Sequence, residues 1–188
     1  MRYLYTVLFY LMLPFLFIRL AWRARQNAAY LKNWGERLGF CPMQLKKCIW
    51  IHAVSVGEVV VAIPLIKALQ VSYPGIPLLV TNMTPTGAAR VKAAFGETVL
   101  QAYIPYDVPD AVGRFLDRIN PVIAIIIETE LWPNVLAACR GRNIPVVVTN
   151  ARLSEKSAKG YAHVPELVDQ MLASIHTLAV QSNADADR

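Results

Sequence analysis

The four residues Ser55-Val56-Gly57-Glu58 place a carboxylate in the first turn of a predicted helix. The apolar run 48–54 before them is typical of a buried strand, and the run 59–69 is typical of a helix packed on a sheet. A serine, a glycine and an acid favour helix initiation, and the helix dipole stabilises the ionised acid. Glu58 is therefore a candidate general base at a strand end, and a simple helix cap is the alternative that these residues leave open.

The elements around this turn alternate regularly along the chain. Apolar runs bounded by turn residues predict strands at 48–54, 77–82, 99–104, 122–127, 145–149 and 176–180. Helices are predicted between them at 58–72, 86–95, 108–119, 131–141 and 164–173. This alternation predicts a parallel, doubly wound α/β sheet of the Rossmann-like kind.

Polar side chains follow most of these strands, where an α/β sheet carries its chemistry. The second strand is followed by Thr84, Thr86 and Gly87, the fourth by Glu128 and Glu130, and the fifth by Asn150 and Arg152. Carboxylates and hydroxyls gathered at one sheet edge suit the binding of a sugar. Each loop also has a structural explanation of its own, as a helix cap, packing or a surface charge.

The N-terminus carries an apolar segment without charge from Tyr3 to Ile18. Sixteen helical residues rise about 24 Å, slightly less than a hydrocarbon core of about 30 Å. Snorkelling of Arg2 and Arg19 extends that reach, so a membrane-spanning helix is expected, with an in-plane anchor as the alternative. A cleaved signal peptide is disfavoured because Arg19–Arg23 continues the helix without a small-residue cleavage site.

The positive charge of the chain is concentrated beside this segment. Residues 1–47 contain eight basic and one acidic side chain, whereas the remainder contains eleven and twelve. This pattern favours the cytoplasmic face and attraction to anionic headgroups, with four candidates for phosphate or lipid contacts: Arg19, Arg23, Arg25 and Lys32. A positive face that only sets membrane topology is the alternative. A nucleic-acid surface is disfavoured because no recognition motif accompanies the charge.

The sequence offers no cofactor or metal motif. Cys41, Cys48 and Cys139 lack metal-ligand or redox spacing, and the three histidines are scattered. Neither a glycine-rich dinucleotide loop nor a phosphate-binding P-loop is present. We therefore expect no bound metal or cofactor.

Several blocks of the chain, in order, resemble the 3-deoxy-D-manno-octulosonic acid (Kdo) transferases, the bacterial lipid A glycosyltransferases. They follow the N-terminal anchor as Asn33–Gly39, His52–Glu58, Thr84–Gly87, Tyr106–Pro109, Glu128–Asn134 and Asn150–Ser154. The resemblance covers essentially all 188 residues and implies the N-terminal half of a two-domain GT-B fold. It divides the chain into an anchor helix (1–25), a basic juxtamembrane segment (26–47) and an acceptor-binding domain (48–188), without the C-terminal donor domain.

The resemblance also implies a reaction. Kdo would pass from CMP-Kdo to the 6′-hydroxyl of a lipid A precursor, with Glu58 as the base and Glu128 and Glu130 near the reaction centre. The implied acceptor-binding residues are Ser55, Gly57, Thr84, Thr86, Gly87, Asn150 and Arg152. The implied location is the inner membrane of a Gram-negative bacterium, with the globular part in the cytoplasm.

Two other interpretations remain. The chain could be a truncated, non-catalytic module that binds acceptor lipid or membrane and transfers nothing. Another membrane-associated GT-B enzyme, of the type that forms lipid II, is disfavoured because Ser55–Glu58 stands where that family has a glycine-rich loop.

Overall fold

A computed structural model describes residues 1–186, and its centre is a six-stranded parallel sheet. The strands are β1 (Cys48–His52), β2 (Leu78–Asn82), β3 (Leu100–Tyr103), β4 (Pro121–Ile127), β5 (Val146–Ala151) and β6 (Thr177–Val180). Their order is β3-β2-β1-β4-β5-β6, and every neighbouring pair is parallel. The order reverses direction between β1 and β4, which makes that pair the topological switch point of the sheet.

Eight α-helices accompany the sheet within the described residues. They are α1 (Arg2–Ala24), α2 (Val56–Ser72), α3 (Pro85–Phe95), α4 (Pro109–Ile119), α5 (Pro133–Gly141), α6 (Glu155–Tyr161), α7 (Pro165–Leu172) and α8 (Asn183–Ala186). Alternate residues of β1 enter different cores, as strand geometry requires: Trp50 packs on one face with α4, α5 and α7, and Ile51 on the other with α2 and α3. The predicted doubly wound architecture is thereby confirmed.

The strand predictions are confirmed to within a few residues, because buried parallel strands read as continuous apolar runs. Residues 27–40, which the apolar and charged pattern of the sequence would allow as an amphipathic continuation of α1, do not form one α-helix. Asn27 is extended and Asn33 adopts a positive φ of 54°, so this segment forms two short 3-10 helices, Ala28–Leu31 and Trp34–Leu38. The second is capped at its C-terminal end by Gly39. The helices α6 and α8 were not predicted.

The helix α1 lies lengthwise on the domain. Along its N-terminal half, Thr6 donates to Asn134 Oδ1 at 3.0 Å and Tyr10 hydrogen-bonds to Asp110. Further along, the Phe17 ring packs edge-on against Tyr106 at 5.5 Å. The opposite side, with residues such as Leu11 and Phe15, stays exposed. By length and composition α1 could cross a membrane, yet one side of it is packed on the protein.

Candidate active site

Glu58 lies at the carboxyl edge of the sheet, directly after the central strand β1. Its carboxylate accepts the backbone N–H groups of Val54 at 2.7 Å and Ser55 at 3.1 Å. The Ser55 hydroxyl in turn accepts the Glu58 N–H at 3.3 Å, which completes a capping box at the start of α2. The residue is only 5% exposed. These bonds fix the carboxylate in position and leave lone pairs on both oxygens for another donor.

The surroundings of Glu58 make it a stronger base than an exposed glutamate. Burial raises the pKa of its carboxyl, and the negative charges of Glu130 and Glu128 raise it further, against hydrogen bonds from Ser55 and Val54 that lower it. The loops after β1 and β4 thus place three carboxylates at the switch point, where Glu128 and Glu130 act electrostatically on Glu58. Glu58 is both a helix cap and a perturbed acid, so the two roles considered for it are compatible.

The loop after β4 holds its two glutamates in different ways. Glu128 has a φ of 62°, a left-handed conformation that costs a glutamate about 1 kcal/mol or more and is often found at functional sites. Glu130 accepts a hydrogen bond from the indole N–H of Trp132 at 3.0 Å. The Trp132 ring packs edge-on against His52, with centroids 5.3 Å apart. The position of the Glu130 carboxylate therefore depends on an aromatic contact with β1.

His52 was not singled out from the sequence as a site residue. Its ring is 3% exposed, Nδ1 lies 2.9 Å from Thr81 Oγ1, and Nε2 has no hydrogen-bond partner. Burial lowers the pKa of His52 from 6.5 to about 4, because the charged ring would have a second buried N–H to satisfy. The ring is therefore neutral at physiological pH.

The loop after β2 packs beside the Glu58 turn. Met83 N–H donates to Val54 C=O at 3.2 Å, and the Asn82 amide donates to Ala53 C=O at 2.7 Å. Thr84 caps α3 by accepting the Gly87 N–H at 3.1 Å, and a Cβ at Gly87 would lie 3.2 Å from that hydroxyl. Thr84 and Gly87 thus shape the loop. Thr86 is exposed, and so is Gly57 in the first turn of α2, where a Cβ would come within 4 Å only of Ser55.

Two other candidates belong to a separate part of the edge. Arg152 is exposed, and its backbone exchanges hydrogen bonds with the Thr129 hydroxyl at 2.5 and 3.2 Å. Asn150 has a φ of 58° and its side chain accepts from Gln181 at 3.0 Å. Arg152 lines an apolar cavity of about 390 Å³ between β5, α6 and α7, together with Thr129, Leu131 and Tyr161. No hydrogen bond or ion pair of the described residues links Arg152 or Asn150 to Glu58.

The four basic residues considered for phosphate or lipid contacts lie on different surfaces of the protein. Arg19 and Arg23 line a hollow of about 270 Å³ that reaches Val54 and Thr84, beside the Glu58 turn. Lys32 instead borders a different depression over α3, with Pro85 and Lys92. Arg25 is exposed at the end of α1 and lines neither. The sequence did not mark Arg37, a buried arginine that joins Arg19 and Arg23 in the hollow.

Asp107, in the loop after β3, holds the fold together at this edge. It is 1% exposed and accepts the N–H groups of Asn134 at 3.0 Å and Val135 at 2.8 Å, which caps α5. Burial raises its pKa to about 6, partly offset by these bonds and by one from Tyr5 of α1. Within residues 1–186, no group of three or more histidine, cysteine or acidic side chains could hold a metal ion.

Comparison with known proteins agrees with this geometry. Residues 32–188 match the family model described as 3-deoxy-D-manno-octulosonic-acid transferase (kdotransferase). The whole chain is 38% identical over 192 aligned residues to a 3-deoxy-D-manno-octulosonic acid transferase of Haemophilus influenzae, covering 44% of that protein. A transferase of the same name from Bordetella pertussis is 36% identical over 78% of the chain, which covers 35% of that protein.

A third relative, from Arabidopsis thaliana, is named a probable mitochondrial 3-deoxy-D-manno-octulosonic acid transferase. It is 33% identical over 98% of the chain, which covers 42% of it. The sheet defines a Rossmann-like domain, and these matches place it among the glycosyltransferases. Within that class, the chain belongs to the Kdo transferase family. It spans less than half the length of these three relatives.

Proposed function

We propose that this chain is the acceptor-binding half of an enzyme that transfers Kdo from CMP-Kdo to the 6′-hydroxyl of a lipid A precursor. The observation that carries the proposal is the Glu58 carboxylate, buried at the switch point with a raised pKa and held by two backbone N–H groups. A base with a pKa nearer to the working pH takes a proton from a hydroxyl more effectively. Family membership supports the sugar and the lipid acceptor.

In the proposed reaction, Glu58 accepts the proton of the 6′-hydroxyl as the oxygen attacks the anomeric carbon of Kdo. The bond from that carbon to the CMP phosphate breaks, the electron pair leaves with CMP, and the configuration inverts. Glu128 and Glu130 would orient the acceptor or stabilise positive charge developing on the sugar. Ser55, Gly57, Thr84, Thr86 and Gly87 would shape the acceptor site, with Asn150 and Arg152 farther along the edge.

We propose an in-plane membrane anchor for α1. A helix that crosses a bilayer alone exposes its whole circumference to lipid, whereas α1 uses one side to contact residues such as Tyr106, Asp110 and Asn134. The exposed side would enter one leaflet, and Arg19, Arg23, Arg25 and Lys32 would meet headgroup phosphates. The proposed location is the inner membrane of a Gram-negative bacterium, with the domain in the cytoplasm beside its lipid substrate.

The test is a chimaera in which residues 1–188 replace the matching segment of the Haemophilus influenzae relative. With CMP-Kdo and lipid A precursor it should transfer Kdo, and Glu58→Gln should lower kcat by about 10³-fold or more by removing the base while keeping the side chain's shape. The matched control is Glu97→Gln, an exposed glutamate in the turn after α3. Turnover of Glu58→Gln at the wild-type rate would reduce Glu58 to a helix cap.

A non-catalytic module that only binds acceptor lipid or membrane is the second candidate, favoured by the exposed apolar side of α1. The chimaera separates the two. A module that only binds lipid would leave the chimaera without Kdo transfer, although the 188-residue chain would still bind vesicles. Kdo transfer by the chimaera that is lost in Glu58→Gln would exclude the module.

A further inference from the structure

The hollow of about 270 Å³ beside the Glu58 turn has an unusual lining. Three of its ten lining residues are arginines, none is acidic, and they come from separate elements: Arg19 and Arg23 from α1, and Arg37 from the second 3-10 helix. The ion pairs of the described residues include none of the three. Three positive charges thus surround one small space without a carboxylate in its wall.

Arg37 is built into this wall. It is 2% exposed, donates to Met83 C=O at 2.9 Å, and stacks its guanidinium over the Tyr103 ring at 4.6 Å. Its buried Nε has no hydrogen-bond partner. A buried guanidinium usually faces a carboxylate. The neighbouring Glu36 attracts Arg37 at longer range, but its carboxylate accepts the Tyr103 N–H at 2.6 Å instead.

Two of the three arginines act on Tyr106, which also lines the hollow. Burial raises the pKa of this phenol, and the positive charges of Arg37 and Arg19, which belong to different elements, both oppose the rise. Arg23 extends over the Tyr30 ring, with 5.6 Å between its guanidinium carbon and the centroid. The remaining wall includes Val54, whose N–H binds the Glu58 carboxylate.

We infer that Arg19, Arg23 and Arg37 form a binding site for a phosphate monoester. The site is connected to Glu58 through Val54, which lines the hollow and donates its N–H to the Glu58 carboxylate. A phosphate monoester carries close to two negative charges and several acceptor oxygens, which suit several guanidinium groups better than a single carboxylate does. Because two of the arginines belong to α1, the site lies where the membrane-facing helix meets the sheet edge. Arg25 and Lys32, of equal charge, are not part of it.

Two sources could supply this phosphate: the sugar acceptor or a bilayer lipid headgroup. That it belongs to the acceptor rests on the function proposed above, whereas phosphate binding itself does not. In the first case, the site would hold the acceptor by its phosphate while the hydroxyl meets Glu58. In the second, it would hold the domain at the surface of the bilayer.

Binding is tested on the 188-residue chain in neutral phosphatidylcholine nanodiscs. Isothermal titration with inorganic phosphate and with dihexanoyl phosphatidic acid, a phosphate monoester, should give saturable binding. Dihexanoyl phosphatidylglycerol, a diester, should bind more weakly. Arg19→Gln and Arg23→Gln should each weaken monoester binding about tenfold, the usual effect of losing one charge-assisted hydrogen bond.

Arg2→Gln is the matched control, since it removes the same charge from the other end of the same helix. It should change binding less than about twofold, because charges far from the site act only through a screened field. Equal losses in all three variants would overturn the inference in favour of a general positive surface. Absence of monoester binding by the wild-type chain would also overturn it. Arg37→Lys should weaken binding likewise, provided that its melting temperature matches the wild type.

The chimaera separates the two sources. If the acceptor supplies the phosphate, Arg19→Gln should raise the KM for phosphorylated lipid A precursor about tenfold, with kcat nearly unchanged and no effect on a dephosphorylated acceptor. If a bilayer lipid supplies it, both acceptors should be affected equally, and phosphatidic acid in the nanodisc should strengthen membrane binding. An inactive wild-type chimaera would contradict the proposed function and leave the phosphate titration standing.

Discussion

The replacement of His52 by phenylalanine tests the neutral, buried state of this ring. Phenylalanine keeps a ring against Trp132, which lies 5.3 Å away centroid to centroid, but it cannot take up a proton. The wild-type His52 pKa is lowered by burial to about 4 from 6.5. Between pH 6.5 and about pH 4 the unfolded chain therefore binds a proton at this position that the folded chain does not. The free energy of unfolding of the wild type must fall as the pH is lowered through this range.

The size of the effect follows from these two values. Each pH unit across the interval between pH 6.5 and about pH 4 costs 1.36 kcal/mol, which gives about 3 kcal/mol over the whole interval. Thr81 loses the Nδ1 contact in the variant, at a cost of about 1 kcal/mol that does not depend on pH. The variant should therefore be slightly less stable than the wild type at pH 7 and about 2 kcal/mol more stable near pH 4.

Urea unfolding of the chain in neutral detergent micelles, followed by far-ultraviolet circular dichroism between pH 7 and 4, measures this difference. His163→Phe, the same exchange at an exposed histidine, is the matched control. A difference between wild type and His52→Phe that stays constant within about 0.5 kcal/mol across this range would refute the buried, neutral ring.

Two further predictions concern the geometry around the site. Gly39 has a φ of 83°, and a Cβ there would lie 2.1 Å from the Ala111 carbonyl oxygen, so Gly39→Ala should cost about 3 kcal/mol and lower the melting temperature by about 6–12 °C. The control Gly75→Ala, where a Cβ would meet no atom within 4 Å, should change the melting temperature little. Equal melting temperatures for the two variants would show that the backbone at Gly39 adjusts without cost. Glu130→Gln keeps a hydrogen-bond acceptor for the Trp132 indole but removes a negative charge that raises the pKa of Glu58. The acid limb of the pH profile of kcat/KM, measured in the chimaera, should therefore move to lower pH, whereas Glu97→Gln should leave it in place. An acid limb that does not move in Glu130→Gln would contradict the electrostatic coupling of Glu130 and Glu58.

The sequence predicts the sheet and the Glu58 turn because both depend on local patterns. Apolar runs mark strands buried on both faces, and a serine three residues before a glutamate marks a capping box, which the structure contains. Even the grouping of Glu58 with Glu128 and Glu130 follows from a general property of parallel sheets, since carboxyl ends of the strands share one edge.

Features set by distant residues were not predictable in this way. Arg37 is charged and lies in a short irregular segment, a pattern typical of exposure, and its burial depends on Met83 and Tyr103. The docking of α1 was missed for a similar reason. Apolar residues occupy every face of this helix, so the docked side is selected by partners such as Asn134, more than a hundred residues away.

The lengthwise docking of α1 has a consequence for the lipid itself. In the in-plane arrangement, the side with Tyr3, Val7, Leu11, Phe15 and Ile18 enters a single leaflet, to a depth of about 5–10 Å, and leaves the opposite leaflet untouched. Such a wedge adds area to one side of the bilayer only. Binding then relieves stress wherever that leaflet is stretched or its headgroups are small, so the protein would gather on membranes according to their curvature and packing.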